Sequence, residues 1–346
     1  MEILDIYPMK KFINAPSEYV VEMLAGIYAA HPRQLKYVAD DVHCLVNAVP
    51  AVPAGKVGLV TGGGSGHLPL FLGYVGEGML DGCAVGDVFQ SPSADQILNV
   101  TKAVDQGSGV LYLYGNYSGD ILNFDLAAEL AGFDGINTAT VVGADDVGSA
   151  TADRRSKRRG VAGIFFIYKI AGAAAAAGLG LEEVARLAAR AGDATKTIGV
   201  ALSPCIIPEV GTPAFTVAED EMELGMGIHG EPGISTGKRE SADRIIDRIL
   251  PLLLDELTFS QNDQAAILLN GLGATPKDEL YILYNRIHQV LAERRIAVFH
   301  VYCGEFATAM EMTGFSLSVC KLDAELKGYL AQPVNTPFFI QPRLDN

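Results

Sequence analysis

Short apolar runs, each too brief to form a helix, alternate along this 346-residue chain with stretches of helical periodicity, and that alternation restricts the fold more than any other feature. Residues 57–60, 110–114, 140–142, 198–202, 266–269 and 298–302 are rich in β-branched and aliphatic side chains and read as buried strands. Between them, residues 93–104, 125–130, 181–191 and 277–294 read as helices. The pattern predicts an α/β fold built on mixed or largely parallel sheets. The chain is longer than one ordinary domain of ~100–200 residues, so two α/β domains are expected. Residues 191–197 leave a helix and enter a strand, which sets the expected boundary between 1–190 and 191–346.

Net charge narrows the partners. At −15 the surface repels phosphate backbones and anionic lipid, which argues against nucleic acid and membrane surfaces. The one basic run, Arg154-Arg155-Ser156-Lys157-Arg158-Arg159, has no interleaved aromatics to stack on bases, and it reads as a solvated loop or a local anion contact. Residues 160–181 approach the ~20 apolar residues of a membrane span. Lys169 near the middle and an alanine–glycine second half make them a buried core segment instead. The five cysteines include no CxxC pair and read as reduced thiols. The first residues lack the basic and apolar regions of a signal peptide, so a cytoplasmic protein is expected.

Chemistry concentrates in two glycine-bracketed histidines. Gly62-Gly63-Gly64-Ser65-Gly66-His67 follows a strand and reads as a glycine-rich turn whose N–H groups can wrap a polar ligand. It is not a nucleotide-binding P-loop, because His67-Leu68-Pro69 stands where lysine and serine or threonine are needed. A tight turn with no ligand is the competing explanation. Gly225-Met226-Gly227-Ile228-His229-Gly230 matches the dinucleotide spacing, but the acidic residues 219–223 stand in place of the required strand and Glu231-Pro232-Gly233 breaks any following helix. A histidine among glycines has little core to fill, so His229 reads as a ligand contact. Asp120, just after the 110–114 strand, reads as a catalytic carboxylate or as the cap of the next helix. Two imidazoles and a carboxylate can together hold a small carbonyl compound and take a proton from its hydroxyl. His31, His43, His288 and His300 lack comparable surroundings, and no ligand spacing predicts a metal.

These segments, with Gly86-Asp87-Val88-Phe89, Asn116-Tyr117-Ser118-Gly119-Asp120, Arg158-Arg159-Gly160-Val161-Ala162-Gly163, the stretch from Met222 to Gly233 and Asn270-Gly271-Leu272-Gly273-Ala274-Thr275, resemble one family in order from about residue 10 onward. That family is the substrate-binding K subunit of dihydroxyacetone kinase. The resemblance implies a two-domain α/β protein, a homodimer, that binds a short ketose as a covalent hemiaminal on His229. It further implies that His67 hydrogen-bonds the carbonyl-derived oxygen and that Asp120 accepts the proton of the attacking hydroxyl. Gly63, Gly64, Ser65 and Gly66 would line the pocket, with Gly115 beside them.

The chain shows no nucleotide signature. By resemblance, ATP or ADP with magnesium belongs to a partner L subunit, charged directly or by a phosphotransferase-system donor, and that subunit is expected to be separate. Many members carry a glutamate where this chain has Leu68 and a lysine where it has Gly115. The departures predict a larger short ketose, such as erythrulose or a branched pentulose, beside dihydroxyacetone. The alternative within the family is a non-catalytic, dihydroxyacetone-sensing coactivator of a transcription regulator, which needs the adduct but not the base.

Overall fold

The computed structural model describes residues 10–49, 53–260 and 263–345; the N-terminal stretch read for a signal peptide lies outside them. Helix α1 (Tyr19–Ala30) leads into a six-stranded sheet of β1 (Leu35–Val38), β2 (Asp41–Asn47), β3 (Gly58–Ser65), β4 (Gly82–Val88), β5 (Val110–Gly115) and β6 (Thr138–Gly143), with α2 (Ala94–Val104) and α3 (Ser118–Phe133) between its later strands. Its spatial order is β1-β2-β4-β3-β5-β6, with β4, β3, β5 and β6 mutually parallel and β1 and β2 antiparallel at one edge. Helices α4 (Ile164–Ala176) and α5 (Leu181–Asp193) then cross to a second six-stranded sheet. It holds β7 (Thr195–Ser203), β8 (Glu221–Leu224), β9 (Ser235–Lys238), β10 (Gln264–Gly271), β11 (Ala297–Gly304) and β12 (Thr313–Leu322), with helices α6 (Ala242–Leu254), α7 (Lys277–Glu293) and α8 (Ala324–Leu330) and a terminal hairpin of β13 (Val334–Asn335) and β14 (Ile340–Gln341).

All six expected strands form, and α2 begins on a reciprocal capping box between Ser93 and Gln96. β3 and β5 are buried along their whole lengths, as parallel strands covered on both faces must be. The second sheet is mixed, one of the two kinds expected. Only β10 and β11 run parallel, while β12, β7, β8 and β9 pair antiparallel. Loops rather than crossover helices join β7, β8 and β9, so nothing obliges those strands to share a direction.

Every residue of α4 from Ile164 to Ala175 is buried, because the helix is the common core of both sheets. Phe165, Phe166 and Ile170 pack with Leu59, Val85 and Leu111 of the first sheet and with Ala266, Leu268 and Leu322 of the second. Lys169 is accommodated by donating from Nζ to the carbonyls of Gln332 at 2.7 Å and Tyr329 at 3.5 Å, beyond and within the last turn of α8. Burial lowers its ammonium to about 7. Among the described residues no helix is long and apolar enough to cross a membrane.

Three local expectations are corrected. Gly62, Gly63 and Gly64 are not a turn but the interior of β3; the chain bends only at Gly66, with φ +99°. A Cβ on Gly63 would stand 2.3 Å from the Phe71 ring and one on Gly64 2.7 Å from the Phe89 Cα, so these glycines admit neighbours that a side chain would expel. The basic run is solvated only through Lys157. Arg158 is buried, its guanidinium donating to both carboxylate oxygens of Glu256 at 2.7 and 2.6 Å, and Arg159 is 11% exposed. Finally, the acidic segment before Gly225 does form a strand, β8, with Met222 and Leu224 buried. The dinucleotide reading still fails, since the loop leads into β9 and no helix opens on Gly230.

Candidate active site

Strand ends deliver the site, as expected for ligands in open α/β sheets. His67 follows β3, Phe89 follows β4, Tyr117 and Asp120 follow β5, and the His229 loop follows β8. Loop 66–68 is locked to the second half of the chain. Thr308 N–H donates to the His67 carbonyl at 3.2 Å, Thr308 Oγ1 to the Leu68 carbonyl at 2.9 Å, and Met310 N–H to the Gly66 carbonyl at 2.8 Å. Asn270, at the end of β10, shapes that partner loop by accepting from the amides of Phe306 at 2.7 Å and Ala307 at 2.9 Å.

His67 is 1% exposed, and its Nδ1 lies 2.7 Å from the Thr308 carbonyl. A carbonyl only accepts, so Nδ1 carries the proton and Nε2 a lone pair. That Nε2 is buried with no partner. Burial, then the neighbouring charge of His229, lowers the imidazole to about 3, so His67 is a neutral acceptor.

The His229 ring meets His67 edge to face, with centroids 4.7 Å apart at 79°. Phe89 stacks on His67 at 4.7 Å and 15°, and Phe89 and Tyr117 also stand edge-on to His229 at 5.2 and 4.6 Å. His229 Nδ1 lies 2.9 Å from Glu231 Oε1, and the His229 amide donates to Glu231 Oε2 at 3.0 Å. Burial works to raise the Glu231 carboxyl, but the His229 hydrogen bond and charge, its own amide and Arg159 outweigh burial and bring it to about 2. The carboxylate is thus ionised and accepts from Nδ1.

Asp120 lies in the first turn of α3, whose N-cap is Tyr117 with no side-chain cap bond. Asp120 Oδ1 is buried and has no partner, so the carboxylate is not spent on capping. Burial raises it to about 6 against the opposing pull of Ser91 and His229. A buried carboxylate poised near neutrality with an open oxygen suits a general base.

His67 and His229 therefore meet ring to ring, and Asp120 is near enough for the charge of His229 to act on its carboxyl. The expected lining residues divide. Ser65 Oγ donates to the Gly86 carbonyl at 2.7 Å and is tied into the sheet. A Cβ on Gly66 would come within 2.8 Å of the Phe89 ring, and one on Gly115 within 3.0 Å of the Tyr117 ring, so both glycines seat aromatics that face the histidines. Phe89, Tyr117, Glu231, Arg159 and Thr308 escaped sequence reasoning. Glu231 had a local signal, two residues from His229, whereas Thr308 lies 241 positions from His67 and had none.

The family model described as the Dak1 domain matches residues 25–338. Over 331 residues the chain is 42% identical to the dihydroxyacetone-binding subunit of PTS-dependent dihydroxyacetone kinase 2 of Listeria innocua, covering 96% of this chain and 99% of that protein. It is 40% identical to D-erythrulose kinase of Mycolicibacterium smegmatis, covering 96% of this chain but only 56% of that longer one. Among solved structures it matches the dihydroxyacetone kinase of C. freundii with a TM-score of 0.86 and 33% identity, over 96% of this chain and 60% of that one. It matches a dihydroxyacetone kinase operon co-activator with a TM-score of 0.86 and 32% identity, over 95% and 100% of the two chains. A two-sheet α/β chain whose matched region spans both sheets and the converging histidines, with full-length relatives at this identity, belongs to the Dak1 domain family.

Proposed function

We propose that this chain is the ketose-binding subunit of a two-component kinase: it binds a short ketose covalently on His229, and Asp120 takes the proton from the hydroxyl that attacks phosphorus. One observation carries the reading. His67 Nε2 and Asp120 Oδ1 are buried acceptors with no partner beside an accessible imidazole. Unsatisfied buried acceptors are costly, and a polyhydroxy ketone supplies the two hydroxyl donors that would satisfy them. A ketone carbonyl also selects against polyols, which cannot form the adduct.

The relatives named as kinase subunits or kinases support a phosphoryl-transfer role, and the D-erythrulose kinase extends well beyond the region that this chain matches. We assign ATP or ADP with magnesium to a separate L-type subunit, with a phosphotransferase-system donor suggested by the Listeria relative's name. We also assign a homodimer. Five free thiols suit a reducing compartment, so we place the protein in the cytoplasm. The substrate is dihydroxyacetone or a larger short ketose, and relatives named for each have nearly equal identity to this chain.

The co-activator match favours a second reading, a ketose sensor without catalysis. Phosphorylated product from purified chain, an L-type subunit, nucleotide and three- to five-carbon ketoses would support the kinase. Adduct formation with no product from any ketose, using an L subunit active with its own K subunit, would support the sensor.

A further inference from the structure

A histidine attacks a carbonyl only through a ring nitrogen bearing a lone pair, and the partner of the other nitrogen decides which one that is. For His229 that partner is Glu231. Gly230, at φ +82°, turns the chain so that one carboxylate reaches both the ring Nδ1 and the amide of His229. The carboxylate is held in turn by Arg159, whose Nη1 is 3.8 Å from Glu231 Oε2 and 3.3 Å from the Glu231 carbonyl. Arg159 is anchored by Nε on Asp146 Oδ2 at 2.8 Å and by Nη2 on the Gly225 carbonyl at 2.8 Å. Gly227 makes room for this arrangement, because a Cβ there would stand 2.1 Å from Glu231 Oε2 and 2.6 Å from Arg159 Nη1.

We propose that Glu231, held by Arg159, is a positioning residue that keeps His229 in the Nδ1–H tautomer and so presents Nε2 to the ketose carbonyl. The proposal rests on the reading of His229 as the ketose-binding group. In the step, the Nε2 lone pair forms the N–C bond and the carbonyl π pair moves onto oxygen. That oxygen takes one proton from water, leaving hydroxide to solvent. The ring becomes an N-alkylimidazolium whose Nδ1–H stays on the Glu231 carboxylate. Glu231 thus acts twice: it selects the nucleophilic nitrogen, and it balances the positive charge of the adduct.

The test combines ¹⁵N-histidine NMR, which distinguishes the two neutral tautomers, with ketose affinity, in the full chain and in Glu231→Ala and Glu231→Gln variants. Dihydroxyacetone and erythrulose are the probes. Losing a charge-assisted hydrogen bond costs about 10- to 100-fold in affinity. Glu231→Ala is expected to lose the Nδ1–H signature and to weaken binding about 100-fold. Glu231→Gln can still accept from Nδ1–H, so it is expected to keep the signature and bind about 10-fold more weakly, for want of the balancing charge. The His67 signals, tied to Thr308, report that the fold persists. Either variant binding within about twofold of wild type, or an Nε2–H signature in the wild-type ring, overturns the proposal. A wild-type chain that forms no adduct overturns the His229 reading itself. A wild-type adduct with unaffected variants overturns only the role of Glu231.

Discussion

His67 and His229 meet edge to face with ring centroids 4.7 Å apart, and each commits Nδ1 to the protein, one to the Thr308 carbonyl and the other to the Glu231 carboxylate. On the reading proposed above, both Nε2 atoms carry lone pairs: the buried, unpartnered one as acceptor, and the one on the ring whose side chain is 21% exposed as nucleophile. A hydroxylated carbonyl compound placed between them meets a nucleophile at carbon and an acceptor at its hydroxyl.

Substituting His229→Ala removes the proposed nucleophile and should abolish the adduct, observed as loss of the ketose-dependent mass increment or NMR shift. An alanine variant that binds the preferred ketose as tightly as wild type would exclude the covalent reading.

Asp120→Asn keeps the shape and removes the basicity, so ketose binding should persist while phosphorylation falls roughly 10²–10⁴-fold. The same variant should be more stable at neutral pH. Because burial raises the Asp120 carboxyl from 3.8 to about 6, its ionisation opposes folding: the penalty is absent below the unfolded value, grows through that interval and is complete above it. A rise of that size makes the buried carboxylate about 3 kcal/mol harder to ionise than a solvated one. Urea denaturation of the two proteins at pH 8 and pH 4 measures both the gain and its disappearance in acid. Turnover of the wild type should fall as pH drops through about 6, where the base becomes protonated.

His67 titrates in the opposite sense. Its imidazole is depressed from 6.5 to about 3, so between those values the unfolded chain takes up a proton that the folded chain refuses, and stability is lost as pH falls. Replacing His67→Gln should flatten the decline in denaturation midpoint between pH 7 and pH 5. An undiminished decline would place the acid sensitivity elsewhere.

Arg159→Met would remove the guanidinium that pairs with Asp146, 1% exposed, and should lower the denaturation midpoint more at pH 8 than at pH 5, because burial already raises the Asp146 carboxyl to about 7 and protonation limits the cost in acid. An unchanged midpoint would show that the guanidinium is not the anchor of the His229 loop.

We propose that substrate range turns on Leu68 and Gly115, where the family resemblance implies a glutamate and a lysine. Without a lysine and a glutamate to keep paired, a bulkier ligand carries a smaller desolvation cost, so kcat/KM for a four- or five-carbon ketose should exceed that for dihydroxyacetone. Side-by-side kinetics with both erythrulose enantiomers and a branched pentulose decide this, and a clear preference for dihydroxyacetone refutes it. The Tyr117 ring lies 3.0 Å from where a Gly115 Cβ would be, so Gly115→Lys must displace a ring that faces His229. The variant should therefore lose rate on every ketose as well as shift towards the three-carbon one.

The strand-like runs, the helices between them and the glycine-bracketed histidines were legible in the sequence, because burial and backbone permissiveness leave their marks on adjacent residues. The same local signals named His67, Asp120 and His229. They misread the 62–64 segment, since glycines inside a strand look like a turn until Phe71 and the Phe89 backbone are seen filling their space. Strand direction in the second sheet was not encoded locally either, because a buried strand has the same composition whichever way its neighbour runs. The protonation state of the site belongs to the tertiary structure alone. His67 owes its tautomer to a carbonyl 241 residues away, and Arg159 becomes an anchor only where Asp146, Gly225 and Glu231 surround it. Desolvation and hydrogen-bond partners set the chemistry of an ionisable group, and both are created only when distant segments close around it.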